Sequence, residues 1–495
     1  MKTRRWVRLL AAGLVAALAL GGCGRSATNN EQTSNRNYDL YIYNGKPQIA
    51  DQLEELCSIY EQETGVRIKT LTLDEPDALR TEMNSSAPPA ILTTYTDTMI
   101  EWQEGGFLLD FKDAQTEAFR QLAETVPQDM RLSTDGSNSY GIPYSIEGYG
   151  LVVDTDMLAD LFGADGNAVA KDLQLASYEE FEAMVKAVDA YVNQGQAAQI
   201  TLNGTAYQLQ AEKQGLAKNL LGVFAVAGSE TWTYGDHLVN AAICSVFNNV
   251  VDANLVSRED VDKLDGPMQR YAQLLDLMTS YAVSKDGKIS RGGDFVSSTI
   301  NGYDQSVQNF ASGKALFLQQ GNWAYNDLVS ANADLADSLT FVPLKFPYQE
   351  GDVTAEGKTV EQLNSSIPVF APCYYSINTQ VSKEEQKLAE EFLVWMNTSE
   401  TGRDFIENKF SFIPYDAGED AVASNSLNAS ILEYKAEGNV LSNPYTGAPP
   451  TWASKVMGNM MLEEYLCREG SWTQEDYQHI AQEAVKGWKN LMDLY

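Results

Sequence analysis

Apolar and polar residues near the start of the chain alternate in a way that predicts strands and helices in turn. A short β-like run at 38–43 is followed by a stripe with spacings of three and four, typical of a helix: Ile49, Leu53, Leu56, Cys57 and Tyr60. Residues 66–72 alternate as a strand, 77–83 suit a short helix, and 90–95 suit a third strand. Because this order favours right-handed crossovers and a parallel sheet, we expect an α/β fold.

The rest of the chain continues the mixed pattern. Two β-like halves occupy 141–153, and a helical stripe covers about 177–192. The polar stretch 345–366 is predicted as a surface loop. The stripe at 383–396 predicts another helix, and 415–495 is mostly helical in pattern.

The first residues are typical of a secretory leader. Residues 1–8 carry four positive charges, and 9–20 are apolar but shorter than the roughly 20 residues that span a bilayer. The run ends in Leu-Gly-Gly-Cys23, which resembles a bacterial lipobox. We therefore predict a signal peptide at 1–22, lipidation of Cys23 and a flexible tether at 23–37. The protein would then work outside the cytoplasm, anchored to the outer face of the cell membrane; the alternatives are a plain signal peptide or a buried helix.

Charge and residue counts narrow the function classes. The chain has 68 acidic and 35 basic side chains and a net charge of −33, which argues against nucleic acid as a partner. Its two histidines, His237 and His479, are far apart, which disfavours zinc hydrolases and His-based triads, and we predict no metal or cofactor. Cys57 falls on a helix stripe and is predicted as a core residue. The pairing of the later cysteines stays open, since none has Cys-x-x-Cys spacing: Cys244, Cys373 and Cys467.

Several motifs follow one another along the chain. They are Asn44-Gly-Lys ahead of a helix ending at Gly65, Gly141-Ile-Pro-Tyr running to Val153, Lys314-Ala-Leu-Phe-Leu-Gln-Gln-Gly-Asn-Trp, and Lys387-Leu-Ala-Glu-Glu-Phe-Leu before Ile413-Pro. In this order they resemble the family 1 extracellular solute-binding proteins of ABC importers, the group that includes maltose-binding protein. One departure is Pro89-Ala90, where the family often has Pro-Asp, so any role of that carboxylate is lost.

The resemblance implies a two-lobe periplasmic-binding-protein type II fold with a hinged cleft between the lobes. Lobe one would comprise 38–146 plus 367–414, and lobe two 147–366 plus 415–495. The protein, a monomer without catalytic residues, would capture a carbohydrate in the cleft, close around it and deliver it to ABC permease subunits.

Sugar binding calls for two kinds of side chain. Carboxylates and amides bond hydroxyl groups, and flat aromatic rings cover the apolar faces of the sugar. From strand ends, loop-like settings and the family pattern we predict these ligand-binding residues: Asn44, Lys46, Asp97, Glu147, Trp232, Trp323, Tyr325 and Trp452. The structural alternatives are a helix N-cap for Asp97 and a hinge hydrogen bond for Glu147. His237 could also bind, although a lone histidine is more often structural.

Other function classes stay open at this point. A secreted, membrane-anchored glycan hydrolase needs two carboxylates about 5–5.5 or 6.5–9.5 Å apart, a distance that sequence cannot supply. The chain contains no GxSxG, HExxH or P-loop spacing. A receptor for a peptide or a polyamine is a further alternative, although the aromatic loops favour sugar as the ligand. A structural surface lipoprotein is another.

The predicted anchor can be tested by substitution. Cys23→Ser removes the thiol that would carry the lipid, so we expect this variant to leave the membrane fraction on cell fractionation. Cys467→Ser, which removes a thiol remote in sequence from the leader, should fractionate like the unaltered protein. A Cys23→Ser protein that remains membrane-bound after a high-salt wash would contradict the lipobox interpretation.

Overall fold

The strand and helix alternation predicted for residues 38–95 is present in the computed structural model. The structure describes residues 36–73, 76–96, 98–133, 137–284, 287–418 and 421–494. The predicted signal peptide, Cys23 and most of the tether therefore lie outside the described residues, as does Asp97.

The strands are β1 (Leu40–Asn44), β2 (Ile68–Thr72), β3 (Ile91–Tyr95), β4 (Ile142–Pro143), β5 (Glu147–Asp154), β6 (Gln199–Leu202), β7 (Thr205–Gln208), β8 (Gly222–Ala225), β9 (Ala315–Gly321), β10 (Leu339–Val342), β11 (Ile367–Phe370), β12 (Cys373–Ile377) and β13 (Val440–Leu441). The α-helices of the first half are α1 (Ala50–Thr64), α2 (Pro76–Met83), α3 (Met99–Glu104), α4 (Glu117–Thr125), α5 (Thr155–Phe162), α6 (Gly166–Leu175), α7 (Tyr178–Gln194), α8 (Val239–Ile243) and α9 (Val250–Asn254). Those of the second half are α10 (Asp265–Ser280), α11 (Ser298–Asn301), α12 (Tyr303–Ala311), α13 (Tyr325–Ala331), α14 (Val360–Asn364), α15 (Lys383–Thr398), α16 (Glu400–Asp404), α17 (Ser426–Glu437) and α18 (Gln474–Met492). Within the described ranges, no helix combines the length and apolar character needed to cross a membrane.

Local sequence signals explain where the predicted helices begin and end. The α1 stripe is buried, including Cys57, and Gly65 ends the helix with a φ of 80°, a conformation that glycine adopts without strain. Ser177 and Ser382 start α7 and α15 with a capping box, in which the serine and a glutamate three residues later each bond the other's backbone N–H. These helices confirm the predictions from periodicity.

The first sheet has the strand order β2-β1-β3-β12-β4. β1 pairs in parallel with β2 and β3, as the strand–helix–strand pattern predicts, whereas β12 joins antiparallel to β3 and β4. The carboxyl ends of β1 and β3 therefore lie side by side, with Asn44 to Lys46 at that edge.

The second sheet has the order β13-β11-β5-β9-β8, with β10 also paired to β5. β5 is buried along its whole length, and successive side chains point to opposite faces. Tyr149, Leu151 and Val153 enter one hydrophobic core, and Val152 enters the other. A strand that contributes to both cores can tolerate few polar residues, which explains the run Gly-Leu-Val-Val.

The chain crosses between the sheets at three places. It passes from β4 to β5 at 144–146 and from β11 to β12 at 371–372, and Ile413 forms an antiparallel bridge to Ile146. β11 pairs with β5 and β13, so the strand at 367–370 belongs to the second sheet although the predicted lobe boundary at 367 assigns it to lobe one. The lobe boundaries as such stay a prediction.

The prediction of a surface loop at 345–366 is corrected by the structure at both ends of the segment. Lys345 and Phe346 are buried, and 360–364 forms α14. The Lys345 ammonium donates to the carbonyl oxygens of Gln174 and Asn364, each at 2.6 Å, and burial lowers the pKa of Lys345 to about 7. The polar composition of this segment thus reflects buried hydrogen bonds as well as exposed residues.

A buried ion pair links the two sheets. Lys46 follows β1, and its Nζ donates to Oε1 of Glu147 at the start of β5; the two side chains are 7% and 8% exposed. The Lys46 ammonium also lies 5.4 Å from the centroid of the Phe412 ring. Asn44 holds the backbone that carries Lys46, since its Nδ2 donates to Lys46 O at 2.9 Å and its Oδ1 accepts from Lys46 N at 3.1 Å.

Because a buried charge without its partner is costly, the pair should couple the sheets energetically. We expect Glu147→Gln to lower the free energy of unfolding by about 3–5 kcal/mol, measured by denaturant titration. Asp39→Asn, which breaks the exposed pair with Arg67, is the matched control and should cost less than about 1 kcal/mol. The double variant Lys46→Met/Glu147→Leu should recover much of the loss. Equal losses of unfolding free energy in Glu147→Gln and Asp39→Asn would show that the Lys46–Glu147 pair does not couple the sheets.

Candidate ligand-binding site

The strand ends of the second sheet bring five ring side chains together. Tyr149 lies near the start of β5, Trp323 follows β9, and Phe370 ends β11. Trp232 and His237 lie in the segment between β8 and α8. We call these five residues the aromatic cluster.

The rings of the aromatic cluster contact one another directly. His237 stacks on Tyr149 with centroids 4.2 Å apart and planes 16° apart. The ring centroids of Trp232 and Trp323 each lie 5.2 Å from that of His237. The centroids of the two indoles are 6.1 Å apart, and their planes are inclined at 65°. Phe370 meets the ring of Tyr149 edge-on at 5.8 Å. Tyr149 and Phe370 are buried, whereas Trp232, His237 and Trp323 are half-buried and form the accessible part of the cluster.

Trp323 is held where the two cores meet. Its ring packs against both hydrophobic cores, and its Nε1 donates to Gln320 Oε1 at 2.8 Å. A Cβ at Gly321 would lie 2.2 Å from the indole, so the glycine at the end of β9 is what allows the ring to fold back over the strand. The buried Nε2 of Gln320 has no hydrogen-bond partner among the described residues.

Trp232 is positioned by an acidic side chain and an unusual helix. Its Nε1 donates to Glu230 Oε2 at 3.2 Å, and Ser229 Oγ donates to the other carboxylate oxygen at 3.0 Å. A π-helical turn, Thr233–Leu238, follows at once and carries His237. Such turns are frequent at functional sites, since the wider helix re-aims side chains.

His237 is an uncharged member of the cluster. Partial burial among the surrounding rings lowers the pKa of His237 to about 3. Its backbone carbonyl accepts a hydrogen bond from Tyr149 Oη at 2.9 Å, and Asn240 Nδ2 donates to the same hydroxyl at 3.0 Å. At neutral pH the imidazole therefore has one donor and one acceptor nitrogen.

The Lys46–Glu147 pair lies at the same edge of the second sheet. Glu147 is the cross-strand partner of Phe370, and Tyr149 is the partner of Gly321, immediately before the turn that carries Trp323. Since Glu147 and Tyr149 are two residues apart on one strand, their side chains share a face. Four of the predicted ligand-binding residues thus come together here: Lys46, Glu147, Trp232 and Trp323.

The other predicted residues lie elsewhere. Asn44 is buried in the turn before Lys46, and both the nitrogen and the oxygen of its side-chain amide are hydrogen-bonded. It therefore positions the turn that carries Lys46. Tyr325 packs against a core, and its hydroxyl donates to Ala336 O at 3.2 Å. Trp452 is corrected to a core residue: its ring is 0% exposed, its Nε1 donates to Ala484 O, and it meets Trp488 edge-on at 4.6 Å.

Two members of the aromatic cluster, Tyr149 and Phe370, were missed from the sequence, and His237 was considered there but not included among the predicted ligand-binding residues. His237 follows Trp232 by five residues, a spacing outside the helical pattern that only the π-helical turn brings into register. Tyr149 lies between two glycines in β5, and Phe370 ends a strand next to it. Aromatic residues at strand ends, read together with strand order, would have identified both.

This arrangement is suited to holding a solute with flat apolar faces and hydroxyl groups. The exposed edges and faces of two indoles offer contact area, and the neutral imidazole offers hydrogen bonds. No group of three potential metal-ligating side chains is found within the ranges that the structure describes.

Comparison with known families and structures agrees with this fold. The family described as bacterial extracellular solute-binding protein matches residues 55–428, which is most of the chain. No curated protein sequence matches the chain.

Solved structures of solute-binding proteins superpose over nearly the whole chain. A family 1 extracellular solute-binding protein from Bifidobacterium longum subsp. infantis is 15% identical, with 92% of this chain and 99% of that one covered and a TM-score of 0.57. The GacH receptor of Streptomyces glaucescens, solved unliganded and with acarbose, is 14% identical, with 92% and 98% covered and a TM-score of 0.57. A sugar transporter protein from Bacillus licheniformis in complex with stachyose is 14% identical, with 91% and 99% covered and a TM-score of 0.57.

At these identities the likeness shows the fold alone, and it confirms the predicted two-lobe α/β architecture. The family match confirms the resemblance drawn from the motifs, and it implies a location outside the cytoplasm. The chain belongs to the bacterial extracellular solute-binding protein family and has the two-lobe periplasmic-binding-protein type II fold.

Proposed function

We propose that this protein is the substrate-binding lipoprotein of an ABC importer, which captures a carbohydrate, an oligosaccharide, in the cleft between its lobes. The observation that carries the proposal is the half-buried surface of Trp232 and Trp323 beside the crossings between the sheets. Solute-binding proteins of this fold have been solved with stachyose and with acarbose, which supports the same class of ligand.

The contacts of the aromatic cluster favour a sugar over a charged solute. Two indoles at 65° to each other can cover two faces of a folded oligosaccharide, whereas a single flat ring would accept one. Lys46 is paired with Glu147, so this ammonium is already engaged rather than placed to attract an anion. Glu230 is bonded to Trp232 and Ser229, which makes it a support for the indole.

The fold and the predicted anchor support a role in transport. Closure of two lobes around the ligand is the known movement of such proteins, and the segments near 145–148, 371–372 and 413 would act as the hinge. Lipidation at Cys23 would keep the receptor near its permease and raise its effective concentration there. We propose a monomer that delivers the sugar to the permease subunits.

A ligand screen tests the proposal against its alternatives. Stachyose, acarbose, maltotriose, spermidine and tetra-alanine would be tested by thermal shift. A ligand at about 100 times its dissociation constant should add about 2.7 kcal/mol to the free energy of unfolding. Stabilisation by an oligosaccharide that is recovered intact after incubation supports the receptor. Recovered cleavage products would indicate a glycan hydrolase, and stabilisation by spermidine or the peptide alone would indicate a non-sugar receptor.

Trp323 provides the sharpest single-residue test. Trp323→Ala removes a large contact area from a half-buried position, so we expect affinity for the bound sugar to fall about thirtyfold or more, measured by calorimetry. The melting temperature should fall less than in Trp452→Ala, because the Trp323 ring is only half-buried. Trp452→Ala is the matched control, because a fully buried tryptophan should cost about 3–5 kcal/mol of stability. Unaltered sugar affinity of Trp323→Ala would mean that the site lies elsewhere.

A further inference from the structure

The imidazole of His237 lies at the centre of the aromatic cluster, with its centroid within 6.2 Å of each of the other four ring centroids. Its ring is covered on one face by Tyr149, and the two indoles approach from other sides at 5.2 Å. His237 remains half-buried and not sealed, so part of the residue is accessible from outside.

Both ring nitrogens of His237 lack a hydrogen-bond partner in the described part of the chain. Among the residues that the structure describes, no group hydrogen-bonds to either nitrogen, although the backbone carbonyl of His237 is bonded to Tyr149. His479, an exposed residue on α18, by contrast bonds Tyr465 Oη through Nδ1 at 2.7 Å. The half-buried His237 ring can therefore offer both nitrogens to a ligand in the aromatic cluster.

We propose that His237 is a ligand-binding residue of this site, exchanging hydrogen bonds with a hydroxyl group of the sugar that packs against Trp232 and Trp323. The inference rests on the proposed function and adds a polar residue to it. A neutral imidazole can donate from one nitrogen and accept at the other, which matches a hydroxyl group. The low pKa of His237 keeps the ring in that neutral form across the physiological range. Stacking on Tyr149 fixes its orientation before the ligand arrives, which lowers the entropic cost of binding.

Substitutions can separate the nitrogens from the ring. His237→Phe keeps an aromatic ring on Tyr149 and removes both nitrogens, so affinity for stachyose, acarbose or maltotriose, whichever binds, should fall about tenfold. His237→Gln retains one donor and one acceptor and should recover part of that loss. His479→Gln, remote from the cluster on α18, is the matched control and should bind like the unaltered protein. Thermal unfolding of each variant checks that the fold is intact.

The small number of histidines allows a direct spectroscopic readout. The chain contains two, so protein labelled with ¹⁵N-histidine gives two pairs of imidazole nitrogen signals, which the His479→Gln variant assigns. Addition of the bound sugar should shift the nitrogen signals of His237 and leave those of His479 in place. If His237 were only a structural residue beneath the ligand, the His237→Phe variant would bind the sugar with unchanged affinity.

The outcomes distinguish this inference from the proposed function. Sugar affinity that falls in Trp323→Ala but is unchanged in His237→Phe, with no shift of the His237 nitrogens, overturns the role of His237 and leaves the receptor in place. Absence of binding to every sugar of the panel by the unaltered protein overturns both. Loss in His237→Phe, partial recovery in His237→Gln and a shifted nitrogen signal support the inference.

Discussion

Two opposite charges buried between two sheets can be accommodated only if they stay paired. Lys46 and Glu147 meet this condition, and each comes from a segment that the rest of its sheet holds in place: Asn44 fixes the turn after β1, and β5 is buried throughout. Their contact therefore sets how the edge of the first sheet meets that of the second. Because Glu147 is paired across the ladder with Phe370, the same contact also sets the base of the aromatic cluster.

The aromatic cluster combines rigid and accessible parts. Tyr149 and Phe370 are buried and join it to the second sheet, while the accessible indoles are each fixed by a hydrogen bond from the ring nitrogen to Glu230 or Gln320. Half-buried tryptophans leave apolar area in water, which a protein built for stability alone would cover. Rings that are already oriented lose little freedom on binding, which supports the proposal that this exposed area is a ligand-binding surface.

The sequence predicts local elements well because periodicity and caps act over a few residues. The β1–α1–β2 unit and the capped helices α7 and α15 were identified in this way. Trp323 and Trp452 show where this reasoning stops. Both are aromatic residues near glycine or proline, but Trp452 is buried by Trp488, which is 36 positions along the chain and arrives only with α18. Long-range packing also explains Lys345, a polar residue whose acceptors come from α6 and α14.

The overall charge of the protein and the hydrogen bonds at its candidate site favour different classes of ligand. A net charge of −33 would by itself suggest a cationic solute, since an acidic surface attracts cations. At the aromatic cluster, however, the carboxylates of Glu147 and Glu230 are engaged by Lys46 and by Trp232 with Ser229, and His237 is neutral. A carboxylate already bonded to the protein would have to give up those contacts to bind a polyamine. The local hydrogen bonds therefore outweigh the global charge as an indicator, and they favour an uncharged, hydroxyl-bearing ligand.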